Sequence, residues 1–221
     1  MRFSRLKGGD LEQNSENTAT SSGTHSSLTV ESSFFFDTRT AWLWLIIRVY
    51  VGYQWFTAGW SKLTGHSIGI GSFGRPTRGG SWLFSTHSGI ALKGFLTHAM
   101  AQTTGPIPQV QGWYAFFLQH VALPNIHLFA FLVTFGELLI GCGLLLGALT
   151  GIAAFFGMFL NFNYLLAGSV SLNPLLGTLS LLLVLAWRVS GYYGLDSYLL
   201  PLLGIPWADP LAGRLPETEY T

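Results

Sequence analysis

The sequence predicts an all-α integral membrane protein: a four-helix bundle with an interfacial helical insert between helices 1 and 2. Three observations lead there. Charged residues make up 10% of the 221 and hydrophobic residues 49%, where a soluble domain carries about 25% charged residues. So few charges cannot cover a water-facing exterior of this size, and lipid is the simpler solvent. The mean hydropathy of +0.42 agrees. Apolar stretches of helical length recur, and the last three are joined by links too short for anything but antiparallel neighbours.

The elements follow in order. Residues 1–37 read as a disordered polar cytoplasmic tail, since Gln13 to Ser33 is rich in Ser, Thr, Asn and Glu and holds too little apolar surface to order itself. No apolar core follows the basic start, so a signal peptide is not expected. Residues 38–205 form the transmembrane domain and 206–221 a C-terminal tail. Span 1 is expected from Ala41 to Leu63, span 2 from His127 to Leu149, span 3 from Gly151 to Ala167 and span 4 from Leu175 to Val189. The 2–3 link falls around Thr150 and the 3–4 link around Asn173-Pro174. Residues 64–126 form the insert. A glycine-marked entrance (Gly69, Gly71, Gly74, Gly79, Gly80) leads to an amphipathic interfacial helix within Ser81–Gln102. Trp113–Leu123 is apolar but too short for an ordinary span, which suits an interfacial or re-entrant helix.

Arg2, Arg5, Lys7 and Arg39 precede span 1, and Arg188 and Arg214 lie at the C-terminal side. By the positive-inside rule both termini are expected in the cytoplasm of a multi-pass cell-membrane protein. The insert, with Arg75, Arg78 and Lys93, then faces outward. Gly143, Gly147 and Gly151 are spaced by four, which permits close backbone approach. This strip serves either the 2–3 hairpin or a homo-oligomer face.

Composition excludes several functions. The formal net charge of +1 offers nothing to nucleic acid. The single cysteine, Cys142, forbids an intrachain disulfide or CxxC chemistry. No histidine sits centrally in a span, so neither a bundle-type haem nor a metal site is expected, and His87 with His98 offers only a weak helical spacing. Trp42, Trp44, Trp60, Trp82 and Trp113 lie near presumed boundaries, as in an aromatic belt. GxGxxG, Walker A, HExxH and GxSxG are all missing.

Ionisable groups at membrane depth are costly and need a reason. Counted from flush helix ends, Arg48 lies about 10 Å deep and Glu137 about 18 Å, a gap that a long Arg side chain can span. Gln54, Asn161 and Asn163 fall at about 20, 15 and 18 Å on the same count. Three readings of this polar slab stay open. It is a structural Arg48–Glu137 pair with amide hydrogen bonds, a quinone-head or proton-relay site, or a transport path. In the quinone reading Arg48, Asn161 and Asn163 donate to carbonyls, Glu137 carries protons, and Tyr50, Tyr53 and Tyr164 supply stacking surface.

The run Arg48-Val-Tyr-Val-Gly-Tyr-Gln-Trp-Phe-Thr-Ala-Gly-Trp-Ser-Lys62 resembles the first-helix signature of the DoxX/DoxD membrane proteins. Gly136-Glu137 with Gly141 is similar to the family's second-helix pattern. Asn161-Phe-Asn-Tyr164, Gly191-Tyr-Tyr-Gly-Leu-Asp196 and the long insert resemble the DoxD branch. The resemblance covers about residues 41–205. It implies the membrane subunit of a thiosulfate:quinone oxidoreductase, passing electrons from thiosulfate to quinone and forming tetrathionate. It also implies a DoxA-like second subunit. Two alternatives stand beside it: a non-catalytic anchor or assembly subunit for a soluble redox partner, and a small transporter.

Overall fold

A computed structural model describes residues 38–77, 80–84, 89–104 and 106–204. The expected tails at 1–37 and 206–221 lie outside them, as do His25, Arg78, His87 and the tail cations Arg2, Arg5, Lys7 and Arg214. Helices are the regular elements among the described residues, with one isolated bridge between His66 and Pro76 and no strand. After a 3-10 turn at Thr38–Thr40 come α1 (Ala41–Thr64), α2 (Ile90–Ala101), α3 (Gly112–Phe117), α4 (Ile126–Leu146), α5 (Thr150–Leu166), α6 (Asn173–Leu185), α7 (Trp187–Ser190) and α8 (Asp196–Leu202). A π-helical turn at Leu118–Ala122 prolongs α3.

Local chemistry sets the helix ends. α1 stops at Gly65, whose φ of 77° is left-handed and whose N–H donates to the Ser61 carbonyl. α4 stops the same way at Gly147, φ 65°. Pro174 opens α6 in its first turn, where a missing N–H costs nothing. The four expected spans correspond to α1, α4, α5 and α6, and the short links make α4, α5 and α6 up-and-down neighbours. One end of the bundle carries the insert; the other, the terminal end, carries the α4–α5 link and α7–α8.

Two apolar clusters hold the chain together. Trp44, Val51, Trp55, Ile140, Leu144 and Leu183 form the centre of the bundle. Leu92, Leu96, Tyr114, Leu118, Ala130 and Ala167 bind the insert helices to α4 and α5. α1 and α4 pack closest. A methyl added at Gly141 would lie 2.5 Å from the Phe56 backbone nitrogen, and one at Gly59 2.8 Å from Leu138. Gly52 faces Leu144 and Leu145. These contacts fix an antiparallel register in which α1 is staggered against α4. The α4–α5 link sits level with Arg48 rather than with Ala41.

The outer faces are apolar: Ile46, Phe131, Leu139, Leu146, Ile152, Phe155, Phe156 and Phe162 are all exposed. A water-soluble monomer rarely presents so continuous a surface. α4 is long and apolar enough to cross a membrane, with a mean hydropathy of 2.2 over its best window and only 33% of that window buried. It is the one such helix among the described residues. α5 and α6 are apolar but shorter, at 17 and 13 residues. α6 stops at Leu185, ahead of the expected Val189, because the helix breaks at Ala186 before α7. Trp44 and Trp82 depart from the expected aromatic belt. Trp44 is 1% exposed in the bundle core, and Trp82 packs against the insert. Trp42, Trp60 and Trp113 remain on the surface.

Candidate functional site

The expected polar slab does not form as one site: the stagger of α1 moves its ends relative to those of α4 and separates Arg48 from Glu137. Gly59 lies opposite Leu138, so Glu137 is level with the last turn of α1, about 18 Å along the axis from Arg48. The Arg48–Glu137 pair is therefore not formed.

Arg48 belongs to the terminal end. Its guanidinium is 1% exposed and donates to the carbonyls of Ser190 (3.1 Å) and Tyr193 (2.9 Å). It passes close to Gly147 and Gly194, where a side chain on either residue would collide with it. The Asp196 carboxylate, in the same turn, accepts from the backbone N–H groups of Leu149 (2.5 Å) and Thr150 (2.8 Å). It thereby caps the start of α5, whose orphan donors and dipole favour a negative charge. It also holds Leu149 at φ 50°, a left-handed conformation that costs a branched residue about 1–2 kcal/mol. The residues 190–196 thus latch the α4–α5 link to α1. The three spaced glycines are used inside the chain: Gly143 against Ala153, Gly147 beside Arg48, and Gly151 against Trp187.

Asn161 is also away from Glu137. It is fully buried on the face of α5 turned to α6, near Gly177. Its two amide atoms find no hydrogen-bond partner among the described residues. Tyr50 is exposed, and the Tyr53 hydroxyl accepts from the Ile70 N–H of the insert loop at 2.9 Å.

Glu137 sits at the polar end of a cavity of about 560 Å³ between the bundle and the insert. Its carboxylate is 1% exposed. One oxygen pairs with Lys62 Nζ and the other accepts from the Tyr164 hydroxyl, both at 2.5 Å. Lys62 also lies over the Trp82 ring, 5.2 Å from its centre, a cation–π contact that holds the ammonium toward the cavity. Tyr164 stacks on Trp55 at 6.4 Å and meets Phe95 edge-on at 6.1 Å. Gln54 and Asn163 line the same space. Asn163 donates its amide to the Phe159 carbonyl, and its own backbone carbonyl accepts from Tyr114 at 3.1 Å. Burial pushes the Tyr114 phenol up to about 12, so it stays a donor across the neutral range. Most of the remaining wall is apolar, from Leu92 and Leu96 on α2, Phe117 and Leu118 on α3, and Leu132 and Val133 on α4, while Ser169, Ser171 and Asn173 add polar groups at the α5–α6 link.

Four of the six expected site residues therefore meet: Glu137, Gln54, Asn163 and Tyr164. Arg48 and Asn161 do not. Lys62 takes the partner role expected of Arg48. A signal for it was present, because a lysine in the last turn of an apolar helix can run its stem back along the helix and bring its charge to a buried acid. Trp82 and Tyr114 belong to the insert, and only the folded chain brings them to the site. Among the described residues no three His, Cys, Asp or Glu side chains gather as metal ligands. No family model, no curated protein and no solved structure matches this chain.

Proposed function

We propose that the chain is a multi-pass membrane subunit of a quinone-linked oxidoreductase that oxidises thiosulfate, or a related reduced sulfur compound, with tetrathionate as the thiosulfate product. The observation that carries this reading is the Lys62–Glu137–Tyr164 group closing one end of a largely apolar cavity. At about 560 Å³ the cavity lies within the range of about 300–1,000 Å³ common for small-molecule sites. Its donor set suits a quinone: the Lys62 ammonium and the Gln54 amide can donate to a carbonyl, and Trp55, Trp82 and Tyr164 offer ring faces. A bound quinone supplies a two-electron, two-proton acceptor.

The residues around it would divide the work. Lys62 orients a carbonyl and stabilises charge gained on reduction. Glu137, a carboxylate in its pair with Lys62, would first take up a proton from water and then pass it to the reduced ring, with Tyr164 holding its second oxygen. Two thiosulfate ions joined through sulfur release the two electrons that the quinone takes up, so the reaction balances without another oxidant. The sulfur chemistry takes place on the insert, where Arg75 and Lys93 are exposed, or on a DoxA-like second subunit.

In this reading α1, α4, α5 and α6 cross the bilayer, both termini are cytoplasmic, and the insert faces outward. The exposed apolar faces of α4 and α5 support it. The segments resembling the DoxX/DoxD proteins support it too, because they supply Lys62, Glu137, Asn163 and Tyr164 in the cavity and Arg48 and Asp196 in the latch.

The test is thiosulfate-dependent reduction of a quinone analogue by the purified chain, alone and with any co-purifying subunit. The reading expects turnover that is lost in Glu137→Gln. Normal turnover in that variant would sink the proton role. A second reading, a membrane anchor for a soluble redox partner, draws on Ile70 (94% exposed), Phe73 (81%) and Phe84 (77%), which project from the insert loop. It expects no turnover by the chain alone.

A further inference from the structure

The cavity has a side opening. At the terminal end α4 and α5 are pinned together: a methyl on Gly143 would meet the Ala153 methyl at 3.0 Å. Two turns closer to the insert, the nearest atom to the same position on Gly136 is the tip of Leu160, at 3.7 Å. The two helices splay apart toward the insert. α3 lies across the widening gap, with Phe117 against Phe129 of α4 (ring centres 6.0 Å apart) and the Tyr114 hydroxyl on the Asn163 carbonyl of α5. About one turn below these two contacts come Leu132 of α4 and Phe159 of α5. Both line the cavity, and both are 53% exposed on the outside of the bundle. Together they mark a lateral mouth between α4 and α5; Ser171 and Leu172, also both cavity wall and exposed, mark a second one at the α5–α6 link.

The surroundings of the lateral mouth are apolar. Above it, Trp113 and Phe116 of α3 are 62% and 63% exposed; around it, Phe131, Phe155 and Phe162 are also exposed. Among the described residues that line the cavity only Lys62 and Glu137 are charged, and they lie at the inner end. Polarity thus rises from the mouth inward. A water-borne anion would meet this gradient in the wrong order, since it must first leave water beside phenylalanines. A lipid-phase amphiphile meets it in the right order, with its head seeking Lys62 and its tail left among Leu132, Val133 and Phe159.

We infer that the gap between α4 and α5 below α3 is a lateral portal open to the bilayer, and that the cavity takes a tailed, lipid-dissolved ligand whose polar head reaches Glu137 while its tail stays in the portal. The identity of the head rests on the quinone reading above; the portal itself does not. The π-helical turn at Leu118–Ala122, a feature that often marks functional sites, sits in the helix roofing this portal.

Site-directed spin labelling separates the two. Cys142 is the only cysteine, so a Cys142→Ala chain accepts single nitroxides at Leu132→Cys, Val133→Cys, Phe159→Cys and, as a lipid-facing control away from the mouth, Leu139→Cys. In phosphatidylcholine nanodiscs all four labels should collide more with oxygen, which concentrates in lipid, than with a neutral nickel chelate in water. A decyl-tailed benzoquinone should lower the oxygen collisions at Val133 at least about twofold, because an occupied pocket buries most of its ligand, and leave Leu139 unchanged. Leu132 and Phe159 are half exposed, so they report the same accessibility should Val133→Cys fail to fold. Nickel-dominated collisions at the portal positions would overturn the portal and place the mouth in water. Oxygen-dominated collisions without protection by the benzoquinone would keep the portal and remove the quinone.

Discussion

Replacing Lys62 by Met tests the buried pair on which the site is built. The pair is asymmetric: the Glu137 side chain is 1% exposed and the Lys62 side chain 18%. Lys62→Met leaves a carboxylate in an apolar cavity with only the Tyr164 hydroxyl against it, and breaking a buried pair in this way costs about 3–5 kcal/mol. Glu137→Gln should cost less, since the ammonium it leaves behind has a flexible stem and some access to the exterior. For a chain of this size each kcal/mol moves the melting temperature by about 2–4 °C, so Lys62→Met should lower it by about 6–20 °C. The double variant Lys62→Met/Glu137→Gln removes both charges and should recover more than half of that loss. Thermal unfolding of all four proteins in one detergent, followed by loss of soluble monodisperse protein, gives the cycle. A melting temperature for Lys62→Met within about 2 °C of the parent, or purely additive single effects, would refute a buried, coupled pair.

The close α1–α4 approach makes Gly141 intolerant. Gly141→Ala places a methyl 2.5 Å from backbone, which cannot move aside. It should destabilise by about 1–3 kcal/mol, whereas Gly94→Ala on the open face of α2 should stabilise by about 0.4–1 kcal/mol; denaturant unfolding distinguishes the signs. Asp196→Ala removes the cap on α5 and the support for Leu149. It should cost about 1–2 kcal/mol by the same method, with Asp196→Asn in between because it keeps one acceptor. The Tyr114 phenol is raised from 10.0 to about 12 in the fold. The unfolded chain therefore loses that proton first, and Tyr114's contribution, complete below pH 10, should fall as pH rises toward 12. Unfolding at stepped alkaline pH should show a limb that is shallower in Tyr114→Phe.

The sequence carried the helix positions well and the contacts between helices poorly. Expected spans and observed helices agree to within a few residues, because apolar run length and the punctuation by Gly65, Gly147 and Pro174 are local properties. Depth was legible only under the assumption of flush ends, and the stagger of α1 defeated it, joining Arg48 to the Ser190 and Tyr193 carbonyls and leaving Glu137 to Lys62. The register had left a trace in the sequence. Gly52 and Gly59, seven apart and so on one helix face, are the strip against which Leu138, Leu144 and Leu145 pack. Helix faces were otherwise hard to assign, since a helix apolar all round shows no polar side from which to read orientation. Asn161 and Asn163, two apart, point to different neighbours for the same reason that helical residues i and i+2 never share a face. Trp82 and Tyr114 reach the cavity from an insert whose docking is set by long-range packing, which no local pattern records.

The most direct measurement is equilibrium binding of a decyl-tailed benzoquinone to the purified full chain in nanodiscs, by extraction and quantification of bound quinone, for the parent, Glu137→Gln, Tyr164→Phe and Arg48→Lys. The account predicts saturable binding at one site per chain, weakened in Glu137→Gln and Tyr164→Phe and unchanged in folded Arg48→Lys, whose position lies in the latch. Binding that is absent in the parent, or that depends on Arg48 and not on Glu137, would contradict it.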